Sequence, residues 1–218
     1  MRVVIAGGHG QIALILERLL SQRGDSVAGF IRNPDHVGDL EAAGADALVV
    51  DLEKASADEV AGHLRGADAV VFAAGAGPGS GAARKDTVDR DAAILLADAA
   101  EAAGVQRYVM VSAMAADPNA TADDEVFQAY LRAKGVADEV VRSRAGLRST
   151  IVRPGALTND AGTGKVRIAE STGRGSIPRE DVAAVLVAVL DEPRTAGTTF
   201  DLISGDTPIT EAVAALAR

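Results

Sequence analysis

Short apolar segments alternate with longer amphipathic segments along almost the whole chain of 218 residues. Six of the apolar segments are predicted strands, because they are rich in Val and Ile and too continuously apolar for a sheet with one solvated face. They lie at residues 3–7, 26–32, 47–52, 69–75, 107–113 and 149–155. Strands that alternate with helices pair in parallel, so we predict an α/β fold built on a doubly wound parallel sheet.

The segments between these strands have helical character and supply the layers that cover the sheet. Five helices are predicted at residues 11–23, 34–43, 57–65, 84–103 and 124–146. A sixth opens at PREDVAAVL, with Pro178 near its first turn, and a seventh strand follows at 198–204. We therefore expect a Rossmann-like, three-layer α/β/α domain over residues 1–218, with a small substrate-side region at about 155–218.

The first predicted strand runs directly into the glycine loop GGHGQIA, and an apolar helix, IALILERLL, follows. Gly7, Gly10 and Ala13 stand at the spacing G-x-x-G-x-x-A. Glycine permits a tight turn and lets backbone N–H groups approach a pyrophosphate at the positive end of the helix. A glycine loop between such a strand and such a helix predicts dinucleotide binding. The alternative is a glycine-rich turn without a ligand.

The end of the second predicted strand indicates which dinucleotide is bound. NAD-binding folds usually place Asp or Glu there to bind the ribose hydroxyls. This chain has Arg32, in GFIRNP. A guanidinium group can hold a 2′-phosphate that a carboxylate would repel, so we predict NADP, with NAD the less favoured cofactor. The alternative is a surface arginine paired with Asp35.

Other strand ends add candidate cofactor contacts. Asp51 is placed to accept a hydrogen bond from the adenine amine, and the run from Ala73 through Ala74 to Gly75 is small enough for a cofactor to lie against the backbone. Ordinary packing at strand ends explains these residues equally well. The remaining predicted cofactor contacts lie in the glycine loop, at strand ends and in the helix after the fourth strand: His9, Gln11, Ile12, Leu52, Asp89, Val111, Pro154 and Gly155.

Composition argues against several other classes of function. The net charge is −9 and Lys and Arg do not cluster, so no nucleic-acid partner is expected. The chain has no cysteine and its three histidines are far apart in sequence, so no metal site is expected. It has neither a signal-peptide pattern nor an apolar run near the roughly 18 residues that cross a bilayer. We expect a cytoplasmic monomer or homodimer that acts on a small molecule.

The order of the motifs resembles the short-chain dehydrogenase/reductase superfamily, in its atypical branch near the extended and NmrA-like members. The resemblance covers nearly the whole chain, through G-x-x-G-x-x-A, IRNP, VVDL, LLADAAEAAGVQRYVMVSA, YLRAK and TIVRPG. It implies a nucleotide-binding fold in which Ser, Tyr and Lys surround the nicotinamide, and Ser112, Tyr130 and Lys134 hold those places. Asp89 stands where extended members usually carry asparagine, so the chain departs there from a proton relay built on an amide.

The chemistry of these three side chains supports the same assignment. A free phenol has a pKa of about 10, and a nearby ammonium group lowers it by about one to three units. Lys134 follows Tyr130 by four residues, so both project from one face of a helix. Ser112 can then hydrogen-bond a substrate carbonyl while Tyr130 protonates the oxygen that forms as hydride arrives at carbon. The alternative is that Tyr130 packs on its helix and Lys134 is solvated.

Three functions fit these residues. The first is an NADP-dependent oxidoreductase that transfers hydride to a small carbonyl or quinone-like acceptor. The second is a non-catalytic, NmrA-like redox sensor that binds NADP. The third is a sugar-nucleotide epimerase or dehydratase, although the region after TIVRPG is shorter than in extended family members that hold nucleotide sugars. The intact spacing of Tyr130 and Lys134 favours an enzyme.

Overall fold

The computed structural model describes residues 1–77 and 79–217. Its strands lie at the predicted apolar segments, with additional short strands near the C-terminus. In chain order they are β1 (Arg2–Ala6), β2 (Ser26–Ile31), β3 (Asp46–Val49), β4 (Ala69–Phe72), β5 (Arg107–Val111), β6 (Arg148–Pro154), β7 (Ala156–Thr158), β8 (Lys165–Ala169), β9 (Ser176–Pro178), β10 (Thr199–Ser204) and β11 (Thr207–Pro208).

The helices alternate with these strands as the amphipathic pattern predicts. In chain order they are α1 (Gln11–Gln22), α2 (Val37–Ala42), α3 (Ala57–Leu64), α4 (Ala82–Arg84), α5 (Ala92–Ala103), α6 (Glu125–Ser143), α7 (Arg179–Asp191) and α8 (Ile209–Ala214). Short 3-10 helices lie at Pro34–His36 and Pro193–Thr195. No helix in the described part of the chain is both long and apolar enough to cross a membrane.

The main sheet has the strand order β11-β8-β10-β6-β5-β4-β1-β2-β3. Its seven strands from β10 to β3 are parallel throughout. The chain moves outward in one direction from β1 to β3 and in the other from β4 onward, so the topological switch point lies between β1 and β4. Doubly wound sheets bind their ligands at this point. The predicted Rossmann-like α/β fold is confirmed.

The sheet is apolar on both faces, and helices cover each of them. Alternate side chains of β1 divide the core, because successive residues of a strand point to opposite faces. Val3 and Ile5 pack with side chains of α1 and α7, whereas Val4 and Ala6 pack with those of α3 and α5. This is the predicted three-layer arrangement.

The C-terminal edge of the sheet differs from the prediction. Residues 156–165, where no strand is predicted, contain β7 and the first residue of β8. β8 pairs antiparallel with β10 and with β11, and β7 pairs with β9 in a separate two-stranded sheet. The carboxylates of Glu180 and Asp181 in the first turn of α7 accept hydrogen bonds from the backbone N–H groups of residues 162–164. These contacts join segments far apart in sequence, and no local pattern encodes them.

The helix predicted at 84–103 is not a regular α-helix. Residues Lys85–Asp91 form a π-helix between α4 and α5. Its wider turns bring Lys85, Val88 and Asp89 into the interior, where all three are buried. Such segments are rare and occur often at functional sites. Here the π-helix carries two ionisable side chains toward the carboxyl ends of the strands.

Candidate active site

A cavity of about 320 Å³ opens at the carboxyl ends of β1 to β4, beside the switch point of the sheet. Many of the predicted cofactor residues line it: Gly7, His9, Gly10, Arg32, Asp51, Leu52, Ala73, Ala74 and Gly75. Residues that the sequence analysis did not assign line it as well: Phe30, Ile31, Asn33, His36, Val50, Glu53, Arg84, Val88 and Ala92.

The glycine loop forms the floor of this cavity. Gly7 has a φ of +84°, and a Cβ added to it would lie 2.6 Å from the Cα of Ala74. The N–H of Gly10 donates to the carbonyl of Gly7 at 2.8 Å, which closes the turn. α1 begins at Gln11 without a side-chain cap or an acidic residue in its first turn. Its N-terminal N–H groups therefore suit the pyrophosphate of a dinucleotide.

Two histidines stack at one side of the cavity. The rings of His9 and His36 lie 3.5 Å apart between centroids, with an interplanar angle of 14°. The Nε2 of His9 lies 2.8 Å from a carboxylate oxygen of Asp39. This contact fixes the His9 ring, so the pair forms an ordered wall.

Arg32 lies at the mouth of the cavity and pairs with Glu53 rather than with Asp35. Its Nη1 donates to Glu53 Oε2 at 2.9 Å. The same oxygen accepts from Arg84 Nη2 at 2.7 Å, and Oε1 accepts from Thr87 Oγ1 at 2.7 Å. The hydrogen bond from Arg84 lowers the pKa of Glu53, and Thr87 adds to the effect while burial opposes it. The alternative of an Arg32–Asp35 pair is wrong.

Asp51 stabilises the turn that follows β3. One of its carboxylate oxygens accepts from the N–H of Glu53 at 3.1 Å, and the other lies 3.1 Å from the Nζ of Lys54. The side chain also lines the cavity. Its contact with adenine stays a prediction.

Lys134 is buried at the carboxyl ends of β4 and β5. Its Nζ donates to the carbonyls of Ala74 and Val111, each at 3.2 Å, and lies 3.4 Å from Asp89 Oδ1. Burial lowers the pKa of Lys134, while the charges of Asp89 and Asp138 oppose that shift. The alternative of a solvated Lys134 is wrong. Its ammonium group instead holds two strand ends and the π-helix together.

Asp89 is fully buried beside Lys134. Its Oδ2 accepts from the N–H of Ala76 at 3.2 Å, and a Cβ added to Gly75 would lie 3.2 Å from Oδ1. A carboxylate accepts hydrogen bonds and balances a cation, whereas an asparagine amide also donates. Asp89 therefore serves as the counterion of a buried ammonium, a role that asparagine would not fill.

Tyr130 lies half-buried one helical turn before Lys134. Its ring stacks on Phe127 at 6.1 Å between centroids, and the Nζ of Lys85 lies 5.4 Å from the ring centroid. Burial raises the pKa of Tyr130, and the charges of Asp89 and Asp138 raise it further. The prediction that the Lys134 ammonium lowers this pKa is wrong, because burial raises the pKa of Tyr130 and two nearby carboxylates add to the rise. The phenol is therefore protonated at neutral pH.

Ser112 follows β5 and is 3% exposed. Its hydroxyl makes no hydrogen bond with the described part of the chain. Asp138 lies nearby and pairs with Arg153 Nη2 at 2.7 Å. Burial raises the pKa of Asp138, and the nearby Ser112 hydroxyl and Arg153 guanidinium oppose the rise. Ser112 Oγ and Asp138 Oδ1 nevertheless form no hydrogen bond with each other. The hydroxyl is thus buried without a partner in the described residues, and Ser112 does not line the cavity.

Seven predicted cofactor residues do not line the cavity: Gln11, Ile12, Asp89, Val111, Lys134, Pro154 and Gly155. Gln11 is exposed at the start of α1, and Ile12 packs in the core. Pro154 is buried at the end of β6. Gly155 passes so close to Gly175 that a Cβ would collide with its carbonyl oxygen. Close backbone packing alone explains the glycine at position 155.

A family model described as NAD(P)H-binding matches residues 7–193. The chain belongs to this NAD(P)H-binding family. It is 41% identical over 214 residues to YhfK of Bacillus subtilis, an uncharacterized sugar epimerase, covering 98% of this chain and 99% of that protein. A nicotinamide cofactor is therefore established as the ligand class, and the resemblance to atypical short-chain dehydrogenases/reductases is confirmed.

Solved structures share the fold over the full length of this NAD(P)H-binding protein. A candidate NAD-dependent epimerase/dehydratase from Bacillus halodurans is 37% identical with a TM-score of 0.90, and 99% of each chain is covered. The oxidoreductase ylbE from Lactococcus lactis is 27% identical with a TM-score of 0.87, covering 99% of this chain and 96% of that one. The descriptions of these two proteins, an epimerase/dehydratase and an oxidoreductase, agree with the predicted oxidoreductase or epimerase-like family.

The residues of this NAD(P)H-binding protein fit the group that its family binds. The open glycine loop and the uncapped α1 suit a pyrophosphate, and the small residues after β4 line the cavity, among them Ala74, whose carbonyl accepts from Lys134. In the described ranges, no three or more His, Asp or Glu side chains converge as a metal site would require. Glu53 and Arg84 were missed because neither VVDLEK nor GAARKD marks its charged residue as anything but solvent-exposed.

Proposed function

We propose that this protein is an NADP-dependent oxidoreductase that reduces a small carbonyl or quinone-like acceptor. The observation that carries the proposal is the placement of a protonated Tyr130 one turn from a buried Lys134 that is bonded to the ends of β4 and β5. The nicotinamide supplies hydride to carbon when it is bound. The side chains must then bind the acceptor oxygen and provide one proton.

The roles follow from the state of each side chain. Ser112 offers a free, buried hydroxyl to hold the acceptor oxygen. Tyr130 donates its proton to that oxygen as the carbon gains hydride, so a carbonyl becomes an alcohol, and the phenolate takes a proton from solvent. Lys134 holds the ends of β4 and β5 in place one helical turn from Tyr130.

A sugar-nucleotide epimerase or dehydratase is the second candidate. It is supported by the names of the Bacillus subtilis and Bacillus halodurans relatives, both above 35% identity. Such enzymes return hydride to the same molecule and produce no net oxidation of the cofactor. The two candidates therefore differ in whether added NADPH is consumed.

The first prediction concerns the cofactor. The protein is expected to bind NADPH more tightly than NADH, because Arg32 lines the cavity with its guanidinium exposed. A charge-assisted phosphate contact contributes about 1.5–3 kcal/mol, hence a difference of roughly 10-fold to 150-fold in affinity. Calorimetric titration of both cofactors measures it, and Arg32→Ala should remove most of the preference. Equal affinities in the wild type would contradict the proposed cofactor.

The second prediction concerns Tyr130. Tyr130→Phe should lower NADPH oxidation by about 100-fold or more with any accepted quinone, aldehyde or ketone, while NADPH affinity stays nearly unchanged. Tyr108→Phe is the matched control, because that phenol donates to the carbonyl of Ala93 in the core. Turnover that survives Tyr130→Phe would remove the proton-donor role.

The same assay separates the alternatives. Tight binding of NADPH without its oxidation by any quinone, aldehyde or ketone tested favours the redox sensor. Conversion of a nucleotide sugar without loss of NADPH absorbance favours the epimerase. Either outcome would replace the reductase proposal.

A further inference from the structure

Three charged side chains from three elements meet at the mouth of the cavity. Arg32 follows β2, Glu53 follows β3 and Arg84 ends α4. All three line the cavity, and Glu53 Oε2 accepts from both guanidinium groups, at 2.9 Å and 2.7 Å. Sequence motifs identify only Arg32 as a cofactor residue. The position of Arg84 beside it has no role in the function proposed above.

The charges of this cluster do not balance. Two guanidinium groups share one carboxylate, so the trio keeps an excess positive charge. The side chains of Arg32 and Arg84 are 57% and 39% exposed, which leaves N–H groups of both free to meet a ligand. Solvated ion pairs of this kind are weak and exchange readily for a stronger anion.

A phosphate monoester is such an anion. It carries about −1.5 to −2 charges near neutral pH and three acceptor oxygens, more than one carboxylate offers. Two guanidinium groups held side by side can each donate two hydrogen bonds to it. Thr87 holds the other oxygen of Glu53 at 2.7 Å, so the carboxylate that orients the arginines is itself anchored.

We propose that Arg84 and Arg32 together bind the 2′-phosphate of NADP, and that Glu53 holds the two guanidinium groups in place until the phosphate displaces it. This inference rests on the NADP preference proposed above and adds a second specificity residue to it. Arg84 comes from the segment after β4. A phosphate bound by both arginines would therefore link that segment to the loop after β2.

Other roles of Arg84 make different predictions. A guanidinium plane stacked on the adenine ring would bind NADPH and NADH equally, because both contain adenine. If Arg84 only forms a surface ion pair with Glu53, removing its side chain would change the affinity for neither cofactor. The ratio of the two affinities therefore separates phosphate binding from both alternatives.

The test is calorimetric titration of the full chain with NADPH and with NADH. Arg84→Ala is expected to weaken NADPH binding by about tenfold or more and NADH binding by less than about twofold. Arg90→Ala is the matched control, because Arg90 lies six residues further on and pairs with Asp86 and Asp91. Melting temperatures of all variants show that each is folded.

Glu53→Gln tests the displacement. Glutamine keeps the size of the side chain but removes the charge that competes with the phosphate. The preference for NADPH over NADH should therefore rise. An unchanged or lowered preference would show that Glu53 is not displaced and would overturn that part of the inference.

The outcomes separate this inference from the function on which it rests. If Arg84→Ala lowers the affinities for NADPH and NADH equally, or lowers neither, the role of Arg84 is overturned. A wild-type preference for NADPH that disappears in Arg32→Ala but persists in Arg84→Ala overturns this inference alone. Equal wild-type affinities for the two cofactors overturn the NADP preference itself.

Discussion

Glu17 is an acid buried in the core, on the face of α1 that packs against the sheet. It is fully buried, and neither carboxylate oxygen has a hydrogen-bond partner in the described residues. A Cβ added to Gly29 would lie 2.5 Å from its Oε1, so the glycine makes room for the carboxyl group. Burial raises the pKa of Glu17 from 4.5 to about 8. The side chain is therefore mostly neutral at pH 7.

This pKa predicts how stability depends on pH. Between pH 4.5 and about 8 the folded state keeps a proton that the unfolded state has lost. The free energy of unfolding therefore falls as pH rises through this window, by about 1.4 kcal/mol per unit from this group. Glu17→Gln removes this pH-dependent fall in the free energy of unfolding. The free energy of unfolding of the variant minus that of the wild type should therefore be about 3 kcal/mol greater at pH 7.5 than at pH 5.

Denaturant unfolding at a series of pH values measures this difference. Glu41→Gln, on the exposed face of α2, is the matched control and should track the wild type. A Glu17→Gln curve parallel to the wild-type curve would mean that Glu17 is ionised in the folded protein.

The turn from β1 into α1 is where the role of the glycine loop in cofactor binding can be tested. Gly10 has a φ of −68° and a ψ of 148°, which other residues adopt freely. Its replacement therefore does not require a left-handed backbone, in contrast to Gly7. The position faces the cavity, and an added Cβ would lie 3.0 Å from the carbonyl oxygen of Gly7.

Gly10→Val should consequently abolish cofactor binding while the domain still folds. NADPH at 100 times its Kd stabilises the wild type by about 2.7 kcal/mol, a rise in Tm of roughly 5–10 °C for a chain of this size. The variant should show no rise. Gly62→Val is the control, since nothing lies within 4 Å of a Cβ there. A full rise in Gly10→Val would place the pyrophosphate elsewhere.

The features of this protein that were predicted correctly depend on neighbours in sequence. Continuous apolar runs mark strands buried on both faces, and alternation with helices implies parallel pairing. The glycine loop needs only the strand before it and the helix after it. The i, i+4 spacing of Tyr130 and Lys134 places both on one helix face without any tertiary contact. These signals were sufficient for the fold and for the ligand class.

Tertiary structure decided the features that join distant segments. β8 joins the main sheet because β10 and β11 pair with it, although residues 165–168 alternate between charged and apolar over too short a run to predict a strand by themselves. The pKa of Tyr130 rises because folding buries its phenol, and Asp89 and Asp138 add to the rise. Arg32 meets Glu53 from the loop after β3, and Arg84 from the segment after β4 pairs with the same carboxylate.

The amino-acid sequence by itself determined the sheet, its helical layers and the glycine loop, because hydrophobic periodicity and backbone freedom act over a few residues. The charge environment of the site was decided only by folding. Electrostatic interactions depend on distance in space and on burial, and Lys134 meets Asp89 across 45 residues of chain.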